Sequence, residues 1–189
     1  MGNGKIYIAG FTDSTDFPTP FDSGYQNSTN KPVAVTSVRN AFVASFGSSL
    51  IGDSNFITTY LGGGGNDAAT TLIIDAVGDV FVAGYTNSAN FPMLAASATQ
   101  TTPGGGYDAF VSKLTPTLND LIASTYLGGT ENDYAFALAT DGTNIYVAGE
   151  TWSANFPIPA SFSPKQSSNA DLTGSTSDGF IAKLNSNLV

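Results

Sequence analysis

A thirteen-residue stretch occurs three times in this chain and restricts its fold more than any other feature. The copies run from Ile6 to Pro18, from Val80 to Pro92 and from Ile145 to Pro157. The last reads Ile145-Tyr146-Val147-Ala148-Gly149-Glu150-Thr151-Trp152-Ser153-Ala154-Asn155-Phe156-Pro157. Strand side chains alternate, so Ile145 and Val147 point to one face while Tyr146 and Ala148 point to the other. Both faces are apolar or small, which fits a strand buried between two layers. A short core helix could show the same run. The β-branched and aromatic content, the Gly and the Thr/Ser/Asn residues that follow favour a strand. Each copy ends in Phe-Pro; proline removes a ladder donor and holds the Phe extended, so pairing should stop there while the ring plugs a core.

Other segments recur with the same period. Asn40–Phe46, Asp108–Leu114 and Asp178–Leu184 form one family of strands. Phe56–Gly63 and Ile122–Gly129 form a second, each ending in Thr-Tyr-Leu-Gly-Gly. Asn66-Asp67 and Asn132-Asp133 then open a further strand that closes in an Asp/Gly turn, around Asp75 to Asp79 and Asp141 to Asn144, which reads as a hairpin into the repeated stretch. Tyr60 to Tyr126 is 66 residues, and Asn40 to Asp108 is 68. Four short strands per unit, each junction marked by turn residues, is an internal repeat of four-stranded sheets. Such sheets have two apolar faces and must stack on like neighbours; radial stacking of four-stranded blades gives a β-propeller.

These motifs together, Thr-Tyr-Leu-Gly-Gly, Asn-Asp, the Asp/Gly turn, (Ile/Val)-(Tyr/Phe)-Val-Ala-Gly-x-Thr, Asn-Phe-Pro and Asp-Ala-Phe-Val-x-Lys-Leu, closely resemble the bacterial and archaeal β-propeller repeats usually called SBBP repeats. The resemblance covers nearly the whole chain apart from variable loops. It implies one blade per repeat, in large secreted or cell-surface proteins, with no catalytic set to carry over.

The expected fold is therefore all-β: tandem four-stranded antiparallel propeller-type blades, about two and a half to three repeats, with incomplete terminal blades. The periodicity divides the chain into 1–39 (the last strand of a truncated blade plus loop), 40–107 and 108–177 (complete repeats plus loops), and 178–189 (the first strand of a further blade). The opening Gly2-Asn3-Gly4-Lys5 reads as the end of a hairpin turn, not as a signal peptide. Closed propellers take about four to eight blades. The chain is expected to be completed by copies of itself, head-to-tail, or by the rest of a longer chain. Lone terminal strands would leave apolar edges at Ile6, Ile8, Phe180 and Ile181, and edges associate. A heterologous contact of that kind generates a ring or a filament.

Composition narrows the function classes. Apolar residues make up 41% and charged ones 11% of 189 residues, as in a globular protein with many turns. The net charge of -9 and pI near 4.1 leave little from which to build a phosphate-binding patch, so no nucleic-acid partner is expected. No stretch approaches the ~18 apolar residues of a membrane span. Cys and His are both absent, which removes disulfides, thiolate nucleophiles and His-based triads.

Several residues still invite a site. Asp67 and Asp133 follow Gly-rich loops and could ligate calcium, which prefers carboxylate and carbonyl oxygens; the alternative is a cap on backbone N–H groups. Asp75, Asp79 and Asp141 are expected to serve hairpin turns, and Asp13 and Asp16 to act as polar caps before Phe-Pro. Glu131 and Glu150 are the sole glutamates and nothing in their spacing pairs them for acid/base work. Trp152, the one tryptophan, and Tyr107 sit on loops where aromatics could recognise a sugar or a protein; for Trp152 the equal alternative is a cover over the Phe156 core. Asn27-Ser28-Thr29 fits the N-glycosylation pattern. The glycine runs 62–65 and 104–106 precede no helical pattern, so they read as turns and not phosphate cradles. The expectation is a non-enzymatic, extracellular structural module built into a fibre, ring or sheath, or a piece of a larger surface protein. No cofactor is expected, with calcium possible. The alternatives are a carbohydrate- or protein-binding propeller module and, third, a glycan-active enzyme.

Overall fold

The computed structural model describes residues 4–14, 17, 24–26, 38–47, 56–94, 98–157 and 176–189. They form ten strands and no helix: β1 (Ile6–Thr12), β2 (Asn40–Phe46), β3 (Ile57–Leu61), β4 (Asp67–Ile74), β5 (Val80–Thr86), β6 (Asp108–Leu114), β7 (Leu121–Leu127), β8 (Asp133–Thr140), β9 (Asn144–Thr151) and β10 (Asp178–Asn185). Asp16 and the Asn27 sequon lie outside the described residues.

All pairings are antiparallel. The strands group as β1-β2-β3, β4-β5-β6-β7 and β8-β9-β10. Hydrogen bonding therefore cuts the repeat at Leu61/Asp67 and Leu127/Asp133, whereas the periodicity cut it at 40 and 108. The end strands are also not alone: β1 pairs along its length with β2, and β10 with β9. A four-strand period can be divided at any of four places, and only pairing fixes the choice. Repeated strands run through their Gly to the following Thr, as in Val80–Thr86, and end before Phe-Pro.

The three sheets stack. One core cluster lies between the first and central sheets and includes Val43, Val80, Val82, Phe110, Leu114 and Tyr126. A second, between the central and last sheets, includes Phe81, Ala83, Val111, Ile145, Val147 and Leu184. Consecutive residues of β5 thus alternate between two cores, which is why both of its faces are apolar. Backbone approaches between sheets run through β4 and β8: β4 packs on β1, β2 and β8, and β8 also on β5 and β6. The sheets spread apart from those first strands, and side chains fill the wedges. Phe91 and Phe156 of the Phe-Pro pairs enter the two cores, whereas Phe17 packs on Phe42 and Tyr60 outside both clusters. Phe91 lies 4.5 Å from Phe110, Phe156 lies 4.5 Å from Phe180, and Phe17 lies 4.5 Å from Phe42, centroid to centroid.

The glycine of the Val-Ala-Gly run has a steric cause. A Cβ at Gly84 would stand 1.9 Å from the Ala68 carbonyl oxygen, and one at Gly149 would stand 2.0 Å from that of Tyr134. Register shifts at those places, between Ala69 and Thr71 and between Ala135 and Ala137, push the inner backbone toward its neighbour.

The outer sheets keep apolar side chains in water. Ile6 and Ile8 on β1 are half-exposed, as is Phe11, and Ile181 on β10 is 82% exposed. Phe180 departs from the expected edge: it is 9% exposed, because its ring turns inward against Phe156.

Candidate functional site

Asp67 and Asp133 occupy equivalent corners between sheets. The Asp67 Oδ2 accepts the Gly63 N–H at 2.8 Å and the Ser88 hydroxyl at 3.0 Å, while Thr86 donates to Oδ1. Ser88 Oγ in turn accepts the Gly65 N–H at 2.8 Å, and Asn90 Oδ1 accepts that of Gly64 at 2.7 Å. The second corner repeats this. Asp133 Oδ2 accepts Gly129 N–H at 2.7 Å and the Ser153 hydroxyl at 2.8 Å, and Glu131 and Thr130 donate from their backbones to Ser153 and Asn155. The Thr-x-Ser-x-Asn spacing is thus a device that closes a glycine loop over a buried carboxylate. These contacts are those of a backbone cap; they engage both oxygens of Asp67, and Oδ2 of Asp133.

A carboxylate missed in the sequence joins the second corner from the side. Asp108 is fully buried and accepts the Gly104 N–H at 3.1 Å. A Cβ at Gly128 would lie 2.1 Å from Asp108 Oδ1 and 2.8 Å from Asp133 Oδ2, so the two side chains meet around that glycine. In the first corner Asn40 stands in the place of Asp108 and meets Asp67 around Gly62. Burial pushes the carboxyls of Asp67 and Asp108 up to about 6, and raises that of Asp133. The signal available in the sequence was the Asp that opens the repeated strand Asp108–Leu114.

The other acidic residues singled out from the sequence, where they are described, lie apart from these corners or in turns and at the surface. Asp75 Oδ1 accepts N–H groups of Val77, Gly78 and Asp79 at 2.9 to 3.0 Å, closing its hairpin. Asp79 also pairs with Lys113 at 3.0 Å. Asp141 accepts from Thr143, Asn144 and Tyr146, which holds its carboxyl well below the usual range. Asp13 is exposed and faces Arg39 at 3.3 Å. Glu131 is exposed; Glu150 accepts the Trp152 indole N–H at 2.7 Å.

Tyr107 lies elsewhere. With Arg39, Asn66, Tyr85 and Tyr134 it lines a cleft of about 300 Å³. Tyr85 meets Tyr107 and Tyr134 edge-to-face, with centroids 5.5 Å and 5.1 Å apart. The cleft is anchored by the same corners: Asn66 Oδ1 accepts the Arg39 N–H at 3.0 Å, and Asn132 Oδ1 accepts that of Tyr107 at 2.9 Å. The Arg39 guanidinium also reaches the Tyr85 phenol and lies 4.1 Å over the Phe11 ring. Trp152 is not among the lining residues, so the two loop aromatics singled out from the sequence are not brought together in this cleft.

A family model described as the SBBP beta-propeller repeat matches residues 57–92 and 124–157. Both matches begin in the last strand of one sheet, cross the glycine corner and end at Phe-Pro of the next. Those two stretches are therefore similar to β-propeller repeats of this type. No curated protein matches the chain. No helix among the described residues is long and apolar enough to cross a membrane.

Proposed function

We propose that this chain is a non-enzymatic, extracellular propeller module whose work is structural: it builds an assembly by extending its stack of sheets. One observation carries the reading. The central sheet has four strands with both faces covered, while each flanking sheet has three among the described residues and turns apolar side chains to water. Ile181 at 82% exposure on the last sheet, and half-exposed Ile6 and Ile8 on the first, match the inward side chains that the central sheet buries completely. Surfaces of that chemistry call for a like sheet, supplied by a second copy or by further blades of a longer chain.

Light scattering after size exclusion tests this on the 189-residue chain. Self-association that grows with concentration and is lost in Ile181→Lys is the expected result. A monodisperse monomer at high concentration, unaltered by that substitution, would falsify self-assembly as its role.

A further inference from the structure

We propose that the cleft between Arg39, Tyr85, Tyr107 and Tyr134 binds a sugar ring that bears a carboxylate, such as a uronic-acid residue. This goes beyond the structural role and does not depend on it.

The repeats themselves show that the blade does not require these residues. Tyr107 stands where the chain has Arg39 one repeat earlier and Ser177 one repeat later. Tyr85 stands where it has Phe11 and Glu150, and Tyr134 where it has Ala68. The flanking pairings are the same in every case: Thr12↔Asn40, Thr86↔Asp108 and Thr151↔Asp178. Three phenols and a guanidinium have therefore been gathered at one cleft from positions the fold leaves free.

Their chemistry specifies a ligand. Arg39 is the sole arginine in a chain of net charge -9, and it lies in this cleft. Its fork of N–H donors suits a carboxylate, which two parallel bonds can grip. Asp13 engages the guanidinium through Nε at 3.3 Å on the exposed side, with side chains 36% and 64% exposed. Such an exposed pair is weak, and the other neighbour of the guanidinium is the neutral Tyr85 phenol, which a charged carboxylate can outcompete or share. The tyrosine rings offer apolar faces to a sugar's C–H groups and hydroxyls to its O–H groups. A volume of about 300 Å³ suits a single ring at the small end of ligand clefts.

The test is calorimetric titration of the full chain with galacturonate and its short oligomers, with galactose and acetate as controls. Galacturonate or its oligomers should bind at least about tenfold tighter than galactose and tighter than acetate, as expected of one charge-assisted contact added to ring packing. Binding by oligomers alone would assign the site to a polymer chain; binding by the monosaccharide too would include the free acid. Arg39→Gln should erase the preference for the acid over galactose. Tyr134→Ala, the residue the chain itself carries at position 68, should weaken the acid about tenfold without altering the melting temperature. Equal binding of acid and neutral sugar, binding of neither, or binding undiminished in both folded variants would overturn the assignment. Should Arg39→Gln not fold, Arg39→Lys retains the charge without the fork, and a full wild-type affinity there would likewise refute it.

Discussion

Asp108 and Asn40 do the same job in successive repeats, and the difference of one atom type has a thermodynamic consequence. Asp67 and Asp108 are held near 6 by burial, against an ordinary 3.8. Each binds its proton more tightly in the fold than in the unfolded chain. The stability linked to that proton is fully present below about pH 4 and is lost as pH rises through about 6. Asp141 works in the opposite sense: its lowered carboxyl adds stability above the ordinary carboxylate range and loses it in stronger acid. The melting temperature should therefore be higher near pH 4.5 than near pH 7.5, and fall again on further acidification. Asp108→Asn, copying Asn40, should reduce the difference between those two pH values by about 1–2 kcal/mol. Denaturant titrations at both pH values decide it; an unchanged difference would mean that Asp108 is already ionised in the fold near pH 4.5, as it is in the unfolded chain. The same residue marks a limit of the sequence. An Asp before a strand looks like a loop cap, and only the meeting around Gly128 reveals a second buried carboxylate. Arg39 was invisible for a related reason, since a lone arginine gains meaning from three tyrosines that are distant in the chain.

Strands were the most legible elements, because alternation and turn residues are local. Their grouping was not, since a strand beginning with Asn-Asp has equal claims on the sheet before it and the sheet after it. The glycine corner settles the matter by closing one sheet onto the next. Its parts can be tested separately. Ser88→Ala deprives both Asp67 and the Gly65 N–H of a partner and should cost about 1–3 kcal/mol. Phe91→Ala empties a core position between Phe110 and Tyr126 and should cost about 3–5 kcal/mol. Chelator should leave the melting temperature of the wild type unchanged, because Gly63, Thr86 and Ser88 already satisfy the Asp67 oxygens. A chelator-induced drop would favour the calcium reading of Asp67 and Asp133.

At the scale of the whole molecule, the three sheets differ in how much water they meet, and exchange rates should follow. Interior strands β5 and β6 are bonded on both edges and covered on both faces, so their amides should exchange only on global unfolding. β10 is bonded along one edge and carries exposed Gly179, Ile181 and Lys183, so half its ladder amides should open locally. β1 has the same standing at the other end of the stack. Those two strands are where an assembling module must gain its contacts, which makes their exchange concentration-dependent while that of β5 and β6 is not. Hydrogen exchange followed across a hundredfold range of protein concentration should show β1 and β10 gaining protection together. Ile181→Lys should hold both at their dilute values. If β1 and β10 exchange alike at every concentration, nothing docks on them, and the exposed isoleucines belong to surfaces that copies of this chain do not cover.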